Sequence, residues 1–403
     1  MNGTRSSAAQ TFVAALLVLL LATGLATGVS GLIARAKRAD TEARAEGRGS
    51  AGDQGAERDT AEGRGGVRAA ASNPGPGVTE GAGNATALLD GTATAGIEST
   101  LEEEILLRRP AITVFAALRY ALFRAGNDGV VVGRHGRLFT LEELEHHESD
   151  SAELEQRLQF VSAVARWLEV RRVALVVALL PAKARVQSEA LRGRFQSLAD
   201  HPRYAEATSA FAGQGVLVAD LLQPLEQVKE AFLERDTHWT PDGAAAAARA
   251  VADAALRVEL PDAPRAEFET IAGERVSVRG DLMSFVPVGP FAAPLGLTPQ
   301  TVQLTETVQT SESALGLFET PSVPVTLVGT SYSADERWNF VGELRAALGM
   351  DVLNVAEEGL GPFVPLADYL QSEAFREVRP ELIVWEIPER YLTLPSVEVP
   401  VFP

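Results

Sequence analysis

Segments with apolar residues at helical spacing alternate along this chain with short runs that are apolar almost throughout. Leu106–Phe123 and Leu154–Leu168 belong to the first kind. In the latter, Leu154, Leu158, Val161, Ala165 and Leu168 recur every three or four residues, which predicts a helix packed by one face. Val173–Leu180, Gly215–Leu222, Val325–Val328 and Leu382–Trp385 belong to the second kind and read as strands covered on both sides. Two further helices are expected. One is the alanine run Ala244–Ala255 behind Thr240-Pro241, an N-cap followed by proline at the first helical position, and the other is Arg337–Leu348. Helix followed by buried strand, repeated, predicts an α/β sandwich around a mainly parallel sheet. Val130–Val132 and Leu138-Phe139 predict a hairpin around Arg134-His-Gly136. Arg265–Val308, rich in Pro, Gly and β-branched residues, reads as an irregular insertion with short strands.

The first quarter of the chain follows other rules. Thr11–Ile33 carries no charge and is long enough to cross a bilayer core, which needs about 20 apolar residues. Residues 1–38 are therefore expected to form a signal anchor, with cleavage near Ala26 as the alternative. Arg5 precedes this segment, whereas Arg35, Lys37 and Arg38 follow it, so the charge flanks by themselves would keep the folded part in the cytosol. Residues 39–104 hold Ala, Gly, Thr, Glu and Arg with few large apolar side chains and are expected to be a flexible linker. The folded domain is expected over 105–403.

Charge and composition narrow the chemistry. A net charge of −18 argues against nucleic acid, whose binding rests on a basic surface. There is no cysteine, so thiol nucleophiles and disulfides are excluded. Of the five histidines, His135 falls in the hairpin turn and is expected to be exposed. His146-His147 lies among acidic residues without a third well-spaced ligand, so no metal site is expected, and His201 has no chemical context. His238 differs. Asp236 stands two positions before it and a helix start follows; in an extended segment residues i and i+2 point to the same side, so the carboxylate can hold the imidazole in the tautomer that leaves Nε2 free as a base. The best nucleophile is Ser331, on a strand-to-helix turn after Val325–Val328 and Gly329; Ser333 is its rival. Lys183 and Arg185, just past a strand end, either contact an anionic sugar or are surface charge. Arg390 either holds a carboxylate or pairs with a nearby glutamate. Tyr332 and Gly361, the latter as an N–H donor near the acyl carbon, complete the candidate set.

Five stretches together resemble the alginate O-acetyltransferase family of the AlgJ/AlgX type, whose catalytic domain is SGNH hydrolase-like. They are Val130–Phe139, Leu180-Pro-Ala-Lys-Ala-Arg185, Asp236-Thr-His-Trp239, Gly329-Thr-Ser-Tyr-Ser333 and Glu386-Ile-Pro-Glu-Arg-Tyr391, in the family's order. The resemblance implies a three-layer sandwich with a permuted motif order, Asp-x-His ahead of Ser, and a triad of Ser331, His238 and Asp236. It implies acetyl transfer, without a cofactor, to hydroxyls of an exported polysaccharide such as alginate. It also implies a periplasmic domain tethered to the inner membrane, with acetyl delivered by a membrane-bound O-acyltransferase. Arg137 stands where the family pattern has Trp, and the chain stops soon after Tyr391, a layout nearer AlgJ than AlgX. A polysaccharide acetyl esterase with the same triad, and a non-catalytic binding or scaffold subunit, are the alternatives.

Overall fold

The apolar runs become strands in the computed structural model, which describes residues 110–258, 260, 265–310 and 323–401. In chain order the first elements are helix α1 over 110–123, strands β1 Val130–Val132 and β2 Leu138–Thr140, helix α2 Asp150–Val170, β3 Ala174–Leu180, helix α3 Arg203–Gly213 and β4 Leu217–Asp220. Then come α4 Pro241–Ala255, β5 Phe268–Val278, β6 Gln300–Gln309, β7 Val325–Val328 and the single turn α5 Ser331–Ala334. Helix α6 Phe340–Leu348, β8 Val352–Asn354, α7 Phe363–Gln371 and β9 Leu382–Pro388 follow, with short helical turns between several of these elements. The expected membrane segment 11–33, the linker 39–104 and the start of the first expected helix lie outside the described residues. Among the described residues no helix is long and apolar enough to cross a membrane.

Five strands pair in parallel in the order β4-β3-β9-β7-β8. Alternate residues of each strand enter opposite cores. Val176, Ala178, Leu180, Leu382 and Val384 pack with Ala247 and Val251 of α4 and Phe340 and Leu344 of α6. Val177, Leu179, Ile383, Trp385 and Ile387 pack on the other side with Val161 and Val164 of α2, Phe211 of α3 and Phe363 of α7. Both faces being covered is why these runs are apolar without alternation. The carboxyl ends of β3, β7 and β9 lie side by side at one edge of the sheet, where parallel α/β folds leave room for a ligand. Lys183, Ser331 and Glu389 all follow those ends directly.

Two expectations change, and one holds. Arg265–Val308 is not built of short strands. β5 and β6 are 11 and 10 residues long and pair antiparallel with an irregularity between Ala272 and Arg275, at Gly273, while the Pro and the other Gly lie in the connection between them. The helix expected from Arg337 begins only at Phe340. Asn339 adopts φ 55°, and its amide donates to Thr305 and Thr307 of β6, so the arm breaks the helical run. The hairpin β1–β2 forms as expected, with His135 exposed in its turn.

Candidate active site

The segment before α4 is not extended, yet it delivers the pairing expected of it. Leu233 N donates to the His238 carbonyl and Thr240 N to that of Ala231, so residues 231–240 close into a tight loop. Inside it the Asp236 carboxylate turns back on its own chain. Oδ1 accepts the His238 backbone N–H at 3.0 Å and faces ring Nδ1 at 2.7 Å. An aspartate accepting from the N–H two residues on is a local turn motif, and it replaces strand geometry as the reason the pair meets. Oδ2 accepts the Asp281 N–H at 3.0 Å. Burial pushes the Asp236 carboxyl up, but the hydrogen bonds from the His238 ring and backbone outweigh it, and the group sits below its ordinary value.

Behind the loop, Thr240 caps α4 by accepting from Gly243 N, with Pro241 at the first helical position. Trp239 is fully buried against Tyr332 and Phe340 and fixes the far side of the loop. Gly243 has its own reason: a Cβ there would meet the Ala231 carbonyl oxygen at 2.1 Å. Gly243→Ala is accordingly expected to cost about 2–3 kcal/mol by overpacking, read as a drop in the denaturation midpoint with unchanged slope.

The second half of the site comes from the turn after β7. Thr330 caps α5, so Ser331 is its first residue. Ser331 Oγ lies 2.9 Å from His238 Nε2 across 93 positions of sequence. The rival Ser333 points inward and donates to Glu386 Oε2 at 3.1 Å. That carboxylate, fully buried on β9, also accepts from Thr330 N at 2.8 Å and from the Thr330 hydroxyl, tying the turn to the central strand. Burial raises the Glu386 carboxyl above its ordinary value. Gly329 serves this contact rather than a positive φ: a Cβ would approach Glu386 Oε2 to 2.5 Å.

Other residues singled out from the sequence have structural posts. Tyr332 is buried, donates to the Thr237 carbonyl at 2.8 Å and packs against the His238 ring, so it buttresses the loop. Lys183 is not surface charge and does not face a sugar; it is 1% exposed and bonded to backbone carbonyls. Arg185 is bound to Glu389 through Nε at 2.9 Å and Nη2 at 2.6 Å. Arg390 lies 3.8 Å from both Glu142 and Glu143, which is the glutamate-pairing alternative. Gly361 has φ 68°, and a Cβ there would come into ordinary contact with Tyr391 and Val397. Arg137, standing where Trp was expected, forms an ion pair with Glu230 at 2.7 Å and so ties the hairpin to the chain just before the loop.

Glu389 shows what burial demands of a carboxylate. It accepts from Arg185, Arg203 and the Ala182 N–H with no exposure of its side chain. Burial pushes it up, yet the Arg185 and Arg203 cations hold it below the ordinary value. Its contribution to stability is therefore complete above roughly pH 4.3, the unperturbed value, and is lost on acidification through the lower folded value. Glu389→Gln is expected to cost about 3–5 kcal/mol at neutral pH. The gap between the two melting curves should narrow as the pH falls below that range.

Asp281 is the site residue that the sequence did not signal. It accepts from Thr237 N at 2.9 Å and Thr237 Oγ1 at 2.6 Å while donating its own N–H to Asp236. Asp236, His238 and Asp281 bring ligand-type atoms within 4.8 Å of one another, but every carboxylate oxygen among them already accepts a protein donor. Beside them opens a groove of about 580 Å³ lined by Asp236, Val278, Arg279, Asp281, Arg337 and Trp338, among others, and bordered by the β5–β6 arm.

Residues 130–389 match the family model described as SGNH hydrolase-like domain, acetyltransferase AlgX. The chain belongs to this family. Over 324 residues it is 40% identical to "probable alginate O-acetylase AlgJ" of Pseudomonas aeruginosa, covering 77% of this chain and 82% of that protein. The structure of the O-acetyltransferase domain of Pseudomonas putida AlgJ superposes with a TM-score of 0.61 at 39% identity, covering 68% of this chain and 96% of that one. Pseudomonas aeruginosa AlgX gives 0.52 at 26% identity, with 64% and 61% covered. The chain is thus an acetyltransferase by family, and its five-stranded parallel sheet between helices is the family's fold.

Proposed function

We propose that this chain acetylates hydroxyls of an exported alginate-type polysaccharide through an acetyl-Ser331 intermediate. The observation that carries the reading is the unbroken line from Asp236 Oδ1 to His238 Nδ1 at 2.7 Å and from His238 Nε2 to Ser331 Oγ at 2.9 Å. His238 takes the Ser331 proton as Oγ attacks the donor's acyl carbon, and Asp236 stabilises the imidazolium that forms. The negative charge on the acyl oxygen is met by the Ser331 N–H, an opening donor of α5 outside the helical ladder. The leaving group departs with the proton held by His238. A sugar hydroxyl then gives its proton to His238 as it attacks the acetyl carbon, and His238 returns that proton to Ser331 Oγ as the acetyl–serine bond breaks.

The groove beside Asp236 gives the acceptor room next to the relay, with Arg279 and the Asp335-bound Arg337 along a wall that also carries Glu274 and Asp281. The domain works in the periplasm on this reading, tethered through Thr11–Ile33 and supplied with acetyl by a membrane-bound O-acyltransferase. The test incubates the chain with an activated acetyl ester and alginate oligosaccharides and follows products by mass. Gain of one acetyl group on the sugar supports transfer, whereas acetate release unaffected by the sugar supports the esterase alternative.

A further inference from the structure

Lys183 is the one fully buried lysine among the described residues, and the reaction scheme leaves it without a part. It opens the short helix Lys183–Val186 just past β3. Its Nζ lies 2.6 Å from the Leu138 carbonyl, 2.9 Å from that of Asp236 and 3.2 Å from that of Glu234. Two of these acceptors are in the loop that presents His238, and the third is on β2. An ammonium has three donors and no acceptor, so donors and carbonyls match in number. A neutral amine has only two N–H groups and would turn its lone pair toward the third carbonyl.

The charges around this amine come from several elements. Glu143 follows β2, Arg137 lies in the β1–β2 turn, and Asp236 and Asp281 lie on the site side. The Phe139 ring is 5.1 Å away. Burial pulls the lysine pKa down to about 7, opposed by Glu143, so the amine changes charge close to neutrality. The Asp236 carbonyl is only two residues from the imidazole. A shift of that peptide moves the ring relative to Ser331, where an error of about 1 Å costs roughly 100-fold in rate.

We propose that Lys183 is a positioning residue whose ammonium, bonded to the carbonyls of Leu138, Glu234 and Asp236, keeps His238 within reach of Ser331, so that turnover falls when the amine loses its proton. The proposal rests on the Ser331–His238–Asp236 reading.

Two measurements on the full chain test it. The first follows kcat and KM for a chromogenic acetyl ester between about pH 6 and pH 9 in wild type, Lys183→Met and Lys183→Arg. Lys183→Met is expected to lower kcat about 100-fold with KM within about twofold. Lys183→Arg keeps a permanent charge and is expected to recover most of kcat and to abolish the alkaline decline. The second is NMR of the chain labelled at lysine Cε, which carries only Lys37, Lys183 and Lys229. One resonance should titrate near 7 and be missing from the Lys183 variants.

Wild-type kcat in Lys183→Met, an unchanged alkaline decline in Lys183→Arg, or no lysine titrating below about 9 would each overturn the proposal. Should the variants fail to fold, the wild-type titration decides. It does not involve Ser331, so its outcome stands apart from that of the triad reading.

Discussion

Ser331→Ala is expected to lower acetyl-ester turnover by about 10⁴- to 10⁶-fold, or roughly 5–8 kcal/mol of transition-state stabilisation. The hydroxyl lies 2.9 Å from the His238 nitrogen that takes its proton. Alanine removes the nucleophile and the atom that the acetyl group would occupy, so transfer and hydrolysis are lost together. Fold should be unaffected, because Ser331 has no buried carboxylate depending on it. Initial rates beside a thermal melt, with the midpoint unchanged within about 2 °C, separate the chemical loss from a structural one. Ser333→Ala is the matched control: its hydroxyl donates to Glu386, so about 1 kcal/mol of stability and little activity should go. A chain that keeps its turnover without the Ser331 hydroxyl and loses it without that of Ser333 would reverse the assignment.

Asp236→Asn should come next in size, lowering turnover by about 10³- to 10⁴-fold. Both carboxylate oxygens accept N–H donors, Oδ1 from His238 and Oδ2 from Asp281. An amide has one oxygen, so either orientation sets its NH₂ against an existing donor. Turned toward the ring, the NH₂ favours the tautomer with the proton on Nε2, which cannot accept from Ser331. Turned toward Asp281, it opposes that backbone N–H and loosens the loop. The variant should also lose about 1–3 kcal/mol of stability, since the mismatch is buried. Paired rate and unfolding measurements test this; near-wild-type kcat would remove Asp236 from the relay.

How much of this site was legible in advance depended on whether the controlling contact was local. Asp236 and His238 are two residues apart, and their pairing is a local turn, so the sequence pattern exposed it even though the supposed strand geometry was wrong. Thr240-Pro241 as a helix start was readable for the same reason. Arg390 takes the glutamate-pairing alternative, whereas Lys183 and Arg185 depart from the surface-charge reading because their partners lie far away along the chain. Lys183 meets carbonyls 45 to 53 positions distant, and Arg185 meets Glu389 across 204. A charge beyond a strand end looks solvated until the segments covering it are known. Glu386 did carry a signal, as a carboxylate inside an otherwise apolar strand run, and that signal marks a buried anchor for the nucleophile turn.

The amino-acid sequence by itself determined four of the five sheet strands, β3, β4, β7 and β9, and helices α2 and α4, because burial on both faces requires continuous apolar runs and helix packing requires a periodic stripe. It also determined the chemistry available, by offering one histidine with an aspartate two positions before it at a helix start, and no thiol. Tertiary structure alone decided which serine meets that histidine, where the β5–β6 arm interrupts the helix after Ser331, and that three basic side chains serve the scaffold. Those outcomes depend on strand order and on contacts between distant segments, and a linear pattern of side chains does not encode them until the sheet brings the carboxyl ends of β3, β7 and β9 together.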